Sequence, residues 1–238
     1  TQNIARRVRE AEVYCEIHPC TKTLKEIEAF SPTGIILSGG PASVLEQDAV
    51  VCDAEVFELG VPVLGICYGM QLIAHLLDGK VSPADNREYG RAKIHIKEYS
   101  HLLNNVNNNS TVWMSHGDRI DKLPAGFKSA AYTDNSPIAA IENHAKKVYG
   151  LQFHPEVVHT NDGVKILDNF LFDICGCAKN WKIKSLAEYA IEGIRSQVGN
   201  GHVVCGLSGG VDSSVVAVLI HKAIGNRLTC IFIDNGVL

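Results

Sequence analysis

Short apolar runs alternate along this chain with segments of helical spacing, and this alternation constrains the fold more than any other feature. The runs 34–37 and 61–66 are short, rich in branched apolar residues and followed by turns. Behind the second run, apolar residues recur at helical spacing up to Gly79, which is typical of a strand followed by a helix. Repeated strand–helix pairs predict an α/β fold with a largely parallel sheet. Further helices are predicted at 4–12, 44–59, 164–174, 186–198 and 213–224, an extended piece at 13–17, and further strands at 92–96, 112–114, 138–141, 148–153, 203–207 and 228–233.

Charge and cysteine content exclude several classes of protein. The net charge of −4 over 238 residues gives no basic footprint for nucleic acid. No apolar run approaches the ~20 residues that span a bilayer. The eight cysteines form no Cys-x-x-Cys pair, and a chain with this much apolar sequence builds a core without disulfides, so we expect reduced thiols and a cytoplasmic protein.

The chain starts at Thr1 inside a helical pattern and stops just after a strand, so we expect a fragment cut at both ends.

The segment Gly65-Ile66-Cys67-Tyr68-Gly69 lies between an apolar strand and a helix. A glycine-x-nucleophile-x-glycine elbow sets its central residue on a tight turn at the sheet's carboxyl edge. There the helix start favours thiolate, and the Tyr68 N–H is free to point at an oxyanion. A buried structural cysteine is the alternative, and the elbow alone does not decide between them.

Three further segments bring complementary chemistry. His154 and Glu156 flank Pro155, and in an extended segment residues two apart point to the same side, so they suit a base and its orienting acid. A solvated glutamate beside a His-Pro turn is the alternative. The turn 38–41 offers the Gly40 amide as a second oxyanion donor, unless it is only a Gly-Pro turn. The polar segment 115–118 is predicted to be a loop that holds a small zwitterion.

Four of these segments together resemble class I (triad-type) glutamine amidotransferases: Leu-Ser-Gly-Gly-Pro at 37–41, Gly-Ile-Cys-Tyr-Gly-Met-Gln at 65–71, Met-Ser-His-Gly-Asp at 114–118 and Gln-Phe-His-Pro-Glu-Val at 152–157. The resemblance implies a flavodoxin-like domain at 1–175 that lacks the family's opening strand. It also implies a catalytic triad and an oxyanion hole. The implied triad is Cys67, His154 and Glu156, the oxyanion donors are Gly40 and Tyr68, and the glutamine-binding residues are Gln71, Ser115, His116, Gly117 and Asp118.

A second unit is predicted at 185–238, after a linker at 176–184. Its loop 208–214 (Ser208, Gly209, Gly210, Val211, Asp212, Ser213, Ser214) joins a strand to a helix, and glycines, hydroxyls and a helix N-terminus form an anion cradle. The loop lacks the Gly-Lys-Ser/Thr ending of a Walker A motif. It resembles instead the pyrophosphate loop (PP-loop) of enzymes that cleave ATP to AMP and pyrophosphate, whose second strand the segment 232–236 also resembles. The unit is therefore expected to be the first part of an adenine-nucleotide α-hydrolase-like domain.

The order of the two units resembles the glutamine-hydrolysing GMP synthetase family. That resemblance implies a purine-biosynthetic ligase that binds glutamine, ATP with Mg²⁺ and xanthosine monophosphate (XMP), forms a homodimer and carries no tightly bound cofactor or metal. Two alternatives stay open: an amidotransferase fused to another PP-loop enzyme, such as a sulfur-transfer or NAD-forming one, and a glutaminase-like regulatory module.

Overall fold

The computed structural model describes residues 1–232, without the side chains at 85, 86 and 183–185. Its contacts divide the chain into two compact units, Thr1–Asn180 and Trp181–Leu238. Across the described residues, no helix has the length and apolar character needed to cross a membrane.

The first unit is built on a six-stranded sheet. Its strands are β1 Ile35–Leu37, β2 Val63–Ile66, β4 His95–Ile96, β6 Lys128–Tyr132, β7 Ala140–Asn143 and β8 Val148–Leu151; its helices are α1 Gln2–Glu10, α2 Leu24–Phe30, α3 Tyr68–Leu76 and α4 Gly163–Asp168, which continues as a π-helix over Asn169–Ile174. The strands lie in the order β1-β2-β8-β7-β6-β4. The β1–β2 and β2–β8 pairs are parallel, and the remaining pairs are antiparallel.

The parallel half of the sheet positions the chemistry. Strands β1, β2 and β8 end side by side, with Ile66 of β2 opposite Leu151 of β8. The predicted turn 38–41, the elbow at Cys67 and the segment 152–156 all follow these strand ends. Because the carboxyl ends of parallel strands meet at one edge, the three segments converge there.

Two apolar clusters hold the sheet between its covering layers. One includes Leu64, Ile66, Tyr149 and Phe170, and the other includes Val63, Met70, Ile73 and Val148. Successive residues of β2 and β8 thus enter opposite clusters, because strand side chains alternate between faces. All residues of both strands are buried, as expected for the interior of an α/β sheet.

A separate antiparallel ribbon pairs β3 Lys80–Lys93 with β5 Thr111–Lys122. The prediction that Ser115–Asp118 forms a loop is wrong, because these residues lie inside β5. Ser115 pairs with Tyr89, and His116 pairs with Glu88. The backbone N–H and C=O groups of this segment are hydrogen-bonded by pairing with β3. Four polar residues in a row do not by themselves indicate such a partner strand.

The predicted helix over 44–59 is also wrong, since only a 3₁₀ turn at Ala54–Glu58 forms there. Side chains compete with the helix for backbone donors: Ser43 Oγ accepts from the Leu45 N–H and Asp53 Oδ1 from the Glu55 N–H. Such local bonds favour turns over helix interiors.

Strand β1 lies at the edge of the sheet and is half-buried rather than fully buried. The segment 13–17 is not a member of the described sheets. Both border one cavity of about 860 Å³, together with part of α1. The expectation that the first unit lacks the family's opening strand stays a prediction.

The second unit consists of α5 Ile183–Val198, β9 Val203–Leu207, α6 Val211–Ile224 and β10 Leu228–Phe232. Strands β9 and β10 are parallel neighbours with α6 as their crossover, as the sequence predicts. The predicted start of this helix at Ser213 is wrong, because α6 begins at Val211. The predicted strand end at 233 and the family-like segment 233–236 lie outside the described residues.

Candidate active site

Cys67 sits on a strained turn between β2 and α3. It is the N-cap of α3, is only 4% exposed, and has φ +54°, an unusual value for a non-glycine residue. A Cβ on Gly69 would clash with the Leu37 carbonyl oxygen, so only glycine fits there. The elbow therefore forms because glycine lets α3 pack directly against β1.

His154 and Glu156 form a pair beside this cysteine. His154 Nδ1 lies 2.9 Å from Glu156 Oε1, and the imidazole also interacts with the Cys67 side chain. The Cys67 Sγ lies 3.4 Å from the Ser115 carbonyl oxygen. The structure thus brings together Cys67, His154 and Glu156, the three residues that the sequence predicts to form a triad.

The electrostatics of the pair favour a cationic imidazole. Burial lowers the pKa of His154, but hydrogen bonds and charge interactions with Cys67 and Glu156 outweigh it and raise this pKa to about 10. An imidazolium at neutral pH suits a thiolate partner and a group that donates a proton to a leaving amine.

Several backbone contacts fix the His154–Glu156 segment. Thr160 Oγ1 donates to the His154 carbonyl at 2.6 Å and accepts from the Trp113 N–H at 3.1 Å. Arg7 of α1 donates to the Glu156 carbonyl at 3.0 Å. The pair is therefore held from α1, β5 and its own downstream turn.

Of the two candidate oxyanion donors, Tyr68 follows the nucleophile directly in the chain, and Gly40 lies beside Tyr68. A Cβ on Gly39 would lie 3.0 Å from His154 Cε1 and 3.4 Å from Cys67 Cβ, and one on Gly40 would lie 3.9 Å from Tyr68 Cγ. The Tyr68 N–H is the first of α3, so no carbonyl four residues earlier in the helix accepts it. This arrangement suits stabilisation of a developing oxyanion.

The candidate glutamine-binding residues divide into two groups. The Ser115 carbonyl faces Cys67, Gly117 adjoins Arg87, and Asp118 Oδ2 accepts from Ser43 Oγ at 2.5 Å. The side chains of Gln71 and His116, in contrast, are buried and donate to the same Asp118 carbonyl. The second group is therefore placed to shape the pocket rather than to line it.

Sequence reasoning missed Gln152, Glu88 and Ser43, which all contact the residues above. Gln152 is fully buried and lies with Nε2 3.9 Å from Cys67 Sγ. The rule that places His154 and Glu156 on one side also places Gln152 there, so a signal existed. Glu88 meets His116 across the β3–β5 ribbon, a pairing without a local sequence signal.

The loop 208–214 forms a compact, exposed turn at the end of β9. Ser213 Oγ accepts from the Ser208 N–H at 3.3 Å and donates to the Gly210 carbonyl at 3.0 Å. Ser214 Oγ donates to the same carbonyl, and Gly209 has φ +81°. Val211 to Ser214 form the first turn of α6, whose N-terminus suits an anion. Across residues 1–232, no group of three or more His, Cys, Asp and Glu side chains is placed to hold a metal ion.

Comparison with known proteins matches two family models to two successive parts of the chain. The model described as glutamine amidotransferase class-I matches residues 1–174, and the NAD synthase model matches residues 184–233. The glutamine-hydrolysing GMP synthases of Acetivibrio thermocellus and Brachyspira hyodysenteriae are 56% and 55% identical over the whole chain. The chain spans 46% of the length of each of these relatives.

Solved structures agree on the fold of the first unit. A Thermoplasma acidophilum protein, provisionally named as part of a GMP synthase, matches with TM-score 0.66 and 30% identity over 73% of this chain and 87% of its own. A glutamine amidotransferase from Methylobacillus flagellatus matches with TM-score 0.54 and 18% identity over 65% of each chain. The predicted α/β amidotransferase fold is confirmed, and since the class-I model spans residues 1–174, the chain belongs to the class-I glutamine amidotransferase family.

Proposed function

We propose that the first unit hydrolyses glutamine to glutamate and ammonia. The observation that carries this proposal is Cys67 on its strained elbow beside the His154–Glu156 pair, in which Nδ1 and Oε1 are 2.9 Å apart. A positioned thiol, an imidazolium and adjacent backbone donors are the groups that amide hydrolysis through a thioester needs.

The proposed reaction has two steps. The Cys67 thiolate attacks the side-chain carboxamide carbon, the Gly40 and Tyr68 amides stabilise the oxyanion, and His154 gives its proton to the departing ammonia. Water then attacks the thioester while His154 accepts its proton, and glutamate leaves as the thiolate re-forms. Glu156 orients the imidazole and keeps it basic enough to return to the cation.

The second unit is proposed to direct this ammonia into GMP synthesis. Its loop 208–214 offers backbone N–H groups and three hydroxyls to the phosphates of ATP. Attack of the XMP C2 oxygen on the α-phosphorus releases pyrophosphate and gives an adenylylated nucleotide. Ammonia then displaces AMP at C2, and the product is GMP. The names of the relatives support this acceptor.

Three further features belong to the same proposal. Mg²⁺ accompanies ATP as its counter-ion, and no tightly bound cofactor takes part. The protein is a homodimer in the cytoplasm, where the cysteines stay reduced; all eight lie within the described residues and form no disulfide there.

The proposal is tested by Cys67→Ala in the full-length protein that contains this chain. Glutamine-dependent GMP formation is expected to disappear, while formation from added ammonium at high pH persists, since the variant lacks only the glutaminase nucleophile. Loss of both activities in a folded variant, or survival of the glutamine-dependent one, would contradict it.

A second acceptor is favoured by one observation, the match of residues 184–233 to a NAD synthase model. An amidated dinucleotide would then replace GMP as the product. The test supplies the full-length protein with ATP, ammonium and either XMP or the deamidated dinucleotide. The acceptor that leads to AMP formation is the substrate.

A further inference from the structure

Glu88 is a buried carboxylate to which the steps above give no role. It lies on β3, is 7% exposed, and accepts from Ser136 Oγ at 2.7 Å and from Thr133 Oγ1 at 3.0 Å. Burial raises the pKa of Glu88, but hydrogen bonds from His116, Ser136 and Thr133 outweigh it and hold this pKa below its usual range. A buried carboxylate of this kind needs hydrogen-bond partners for its oxygens.

His116 is one of the groups that meet this carboxylate. Its Nδ1 lies 2.9 Å from the Asp118 carbonyl oxygen, which only accepts hydrogen bonds, so Nδ1 carries a proton. Its Nε2 lies 3.3 Å from Glu88 Oε2 and 3.3 Å from Ser136 Oγ, whose own proton goes to Glu88. Nε2 therefore lies against the carboxylate and the hydroxyl, and these contacts fix the plane of the ring.

From this pair, hydrogen bonds lead back to the nucleophile. The Asp118 carbonyl accepts from His116 and, at 3.0 Å, from Gln71 Nε2. Gln71 Nε2 also lies 3.3 Å from Gln152 Oε1, and Gln152 Nε2 lies 3.9 Å from Cys67 Sγ. The described residues thus link β3, β5, α3 and the segment after β8 by buried polar contacts.

We propose that Glu88 is a positioning residue for glutamine: it holds the His116 ring in place, and this ring fixes the Asp118 carbonyl and with it the pocket that Ser115–Asp118 and Gln71 shape. The proposal rests on the glutaminase function proposed above. It assigns the effect to substrate binding rather than to the thiol, because Cys67 keeps its own contacts with His154 and the Ser115 carbonyl.

The test uses two electrophiles on the 238-residue chain. A chloroketone analogue of glutamine reports binding through its half-saturation constant for inactivation, and iodoacetamide reports the intrinsic reactivity of Cys67. Glu88→Ala is expected to raise the half-saturation constant about tenfold or more, as when a buried hydrogen-bonded group loses its partner. Iodoacetamide alkylation of Cys67 is expected to stay within about threefold, since the thiol's immediate contacts remain.

Two matched variants separate positioning from general loosening. Glu88→Gln keeps the size and the contacts to Ser136 and Thr133, so it is expected to restore the half-saturation constant to within about threefold of the wild type. Glu142 is a second buried carboxylate, held by Ser100 at 2.7 Å and Lys128 at 3.1 Å but outside this network. Glu142→Ala is expected to lower stability and leave the constant unchanged.

The possible results separate the two proposals. If Glu88→Ala leaves the constant unchanged, or if Glu142→Ala raises it equally, the positioning role is wrong and the glutaminase function stands. If the analogue does not label wild-type Cys67 at all, the proposed function fails and the positioning role fails with it. If Glu88→Ala does not fold, two variants of His116 replace it in the test. His116→Asn keeps a donor near the Nδ1 position, whereas His116→Leu does not. The leucine variant is then expected to lose more affinity than the asparagine variant, and equal constants for the two would overturn the role.

Discussion

The candidate thiol site gathers groups from β2, β5 and the segments after β1 and β8, whereas the phosphate loop takes its described hydrogen bonds from residues 208–214 alone. Cys67 is buried on a strained turn, but most of the loop and of β10 is exposed, and no residue of β9 is fully buried. An anion cradle needs only a strand, a turn and a helix start, while a triad needs side chains from distant segments held to within a fraction of an ångström. The two sites should therefore respond differently to the same kind of change.

The largest difference is expected from adding one methyl group to a glycine. Gly69→Ala sets a Cβ against the Leu37 carbonyl and should lower the free energy of unfolding by about 3 kcal/mol. Gly206→Ala in β9 meets no atom within 4 Å and should change it by less than about 0.5 kcal/mol. Urea unfolding followed by circular dichroism measures both, and equal effects would remove the contrast in packing.

A smaller effect is expected on thiol reactivity. The raised pKa of His154, about 10, keeps an imidazolium beside Cys67 at neutral pH, and this cation should speed alkylation of Cys67. In His154→Ala the alkylation rate should therefore fall about 10²-fold at pH 7, and the wild-type advantage should be lost as the pH rises through about 10, where the imidazolium loses its proton. Iodoacetamide kinetics with peptide mapping measure the rate at Cys67.

The control for that experiment is His144→Ala, a histidine that stacks on His101 and does not contact the triad. Its profile should match the wild type. An unchanged alkylation rate in His154→Ala at pH 7 would mean that the imidazole does not activate the thiol.

The smallest effect is expected in the phosphate loop. Ser213→Ala removes the hydroxyl that joins Ser208 to Gly210 and should weaken ATP binding about threefold to tenfold, the usual range for one hydrogen bond. Calorimetric titration of the chain with ATP measures it, with Ser196→Ala on the exposed surface of α5 as control. An unchanged affinity would show that the backbone alone forms the cradle.

The sequence predicted the phosphate loop more completely than the thiol site, because local patterns define the loop but not every contact of the thiol site. The strand, turn and helix around the loop 208–214 follow from local patterns, apart from an α6 start at Val211 instead of Ser213. Cys67, His154 and Glu156 were also accessible, because elbow spacing and the i, i+2 rule are local. The Glu88–His116 pair was not, since it depends on the register between β3 and β5.

The errors have similar causes. Ser115–Asp118 reads as a polar loop until a partner strand is known, and 44–59 reads as a helix until Ser43 and Asp53 take up its backbone donors. Periodicity reports which face is apolar, but it does not report which backbone groups find other partners.

The most direct test of the account is the site of labelling by the chloroketone analogue of glutamine. Cys20 and Cys230 are exposed and Cys67 is buried, so accessibility alone would direct the reagent away from Cys67. The account predicts a single adduct at Cys67 in peptide mass spectra, with labelling suppressed by glutamine. Adducts at the exposed cysteines, with Cys67 unmodified and no protection by glutamine, would contradict it.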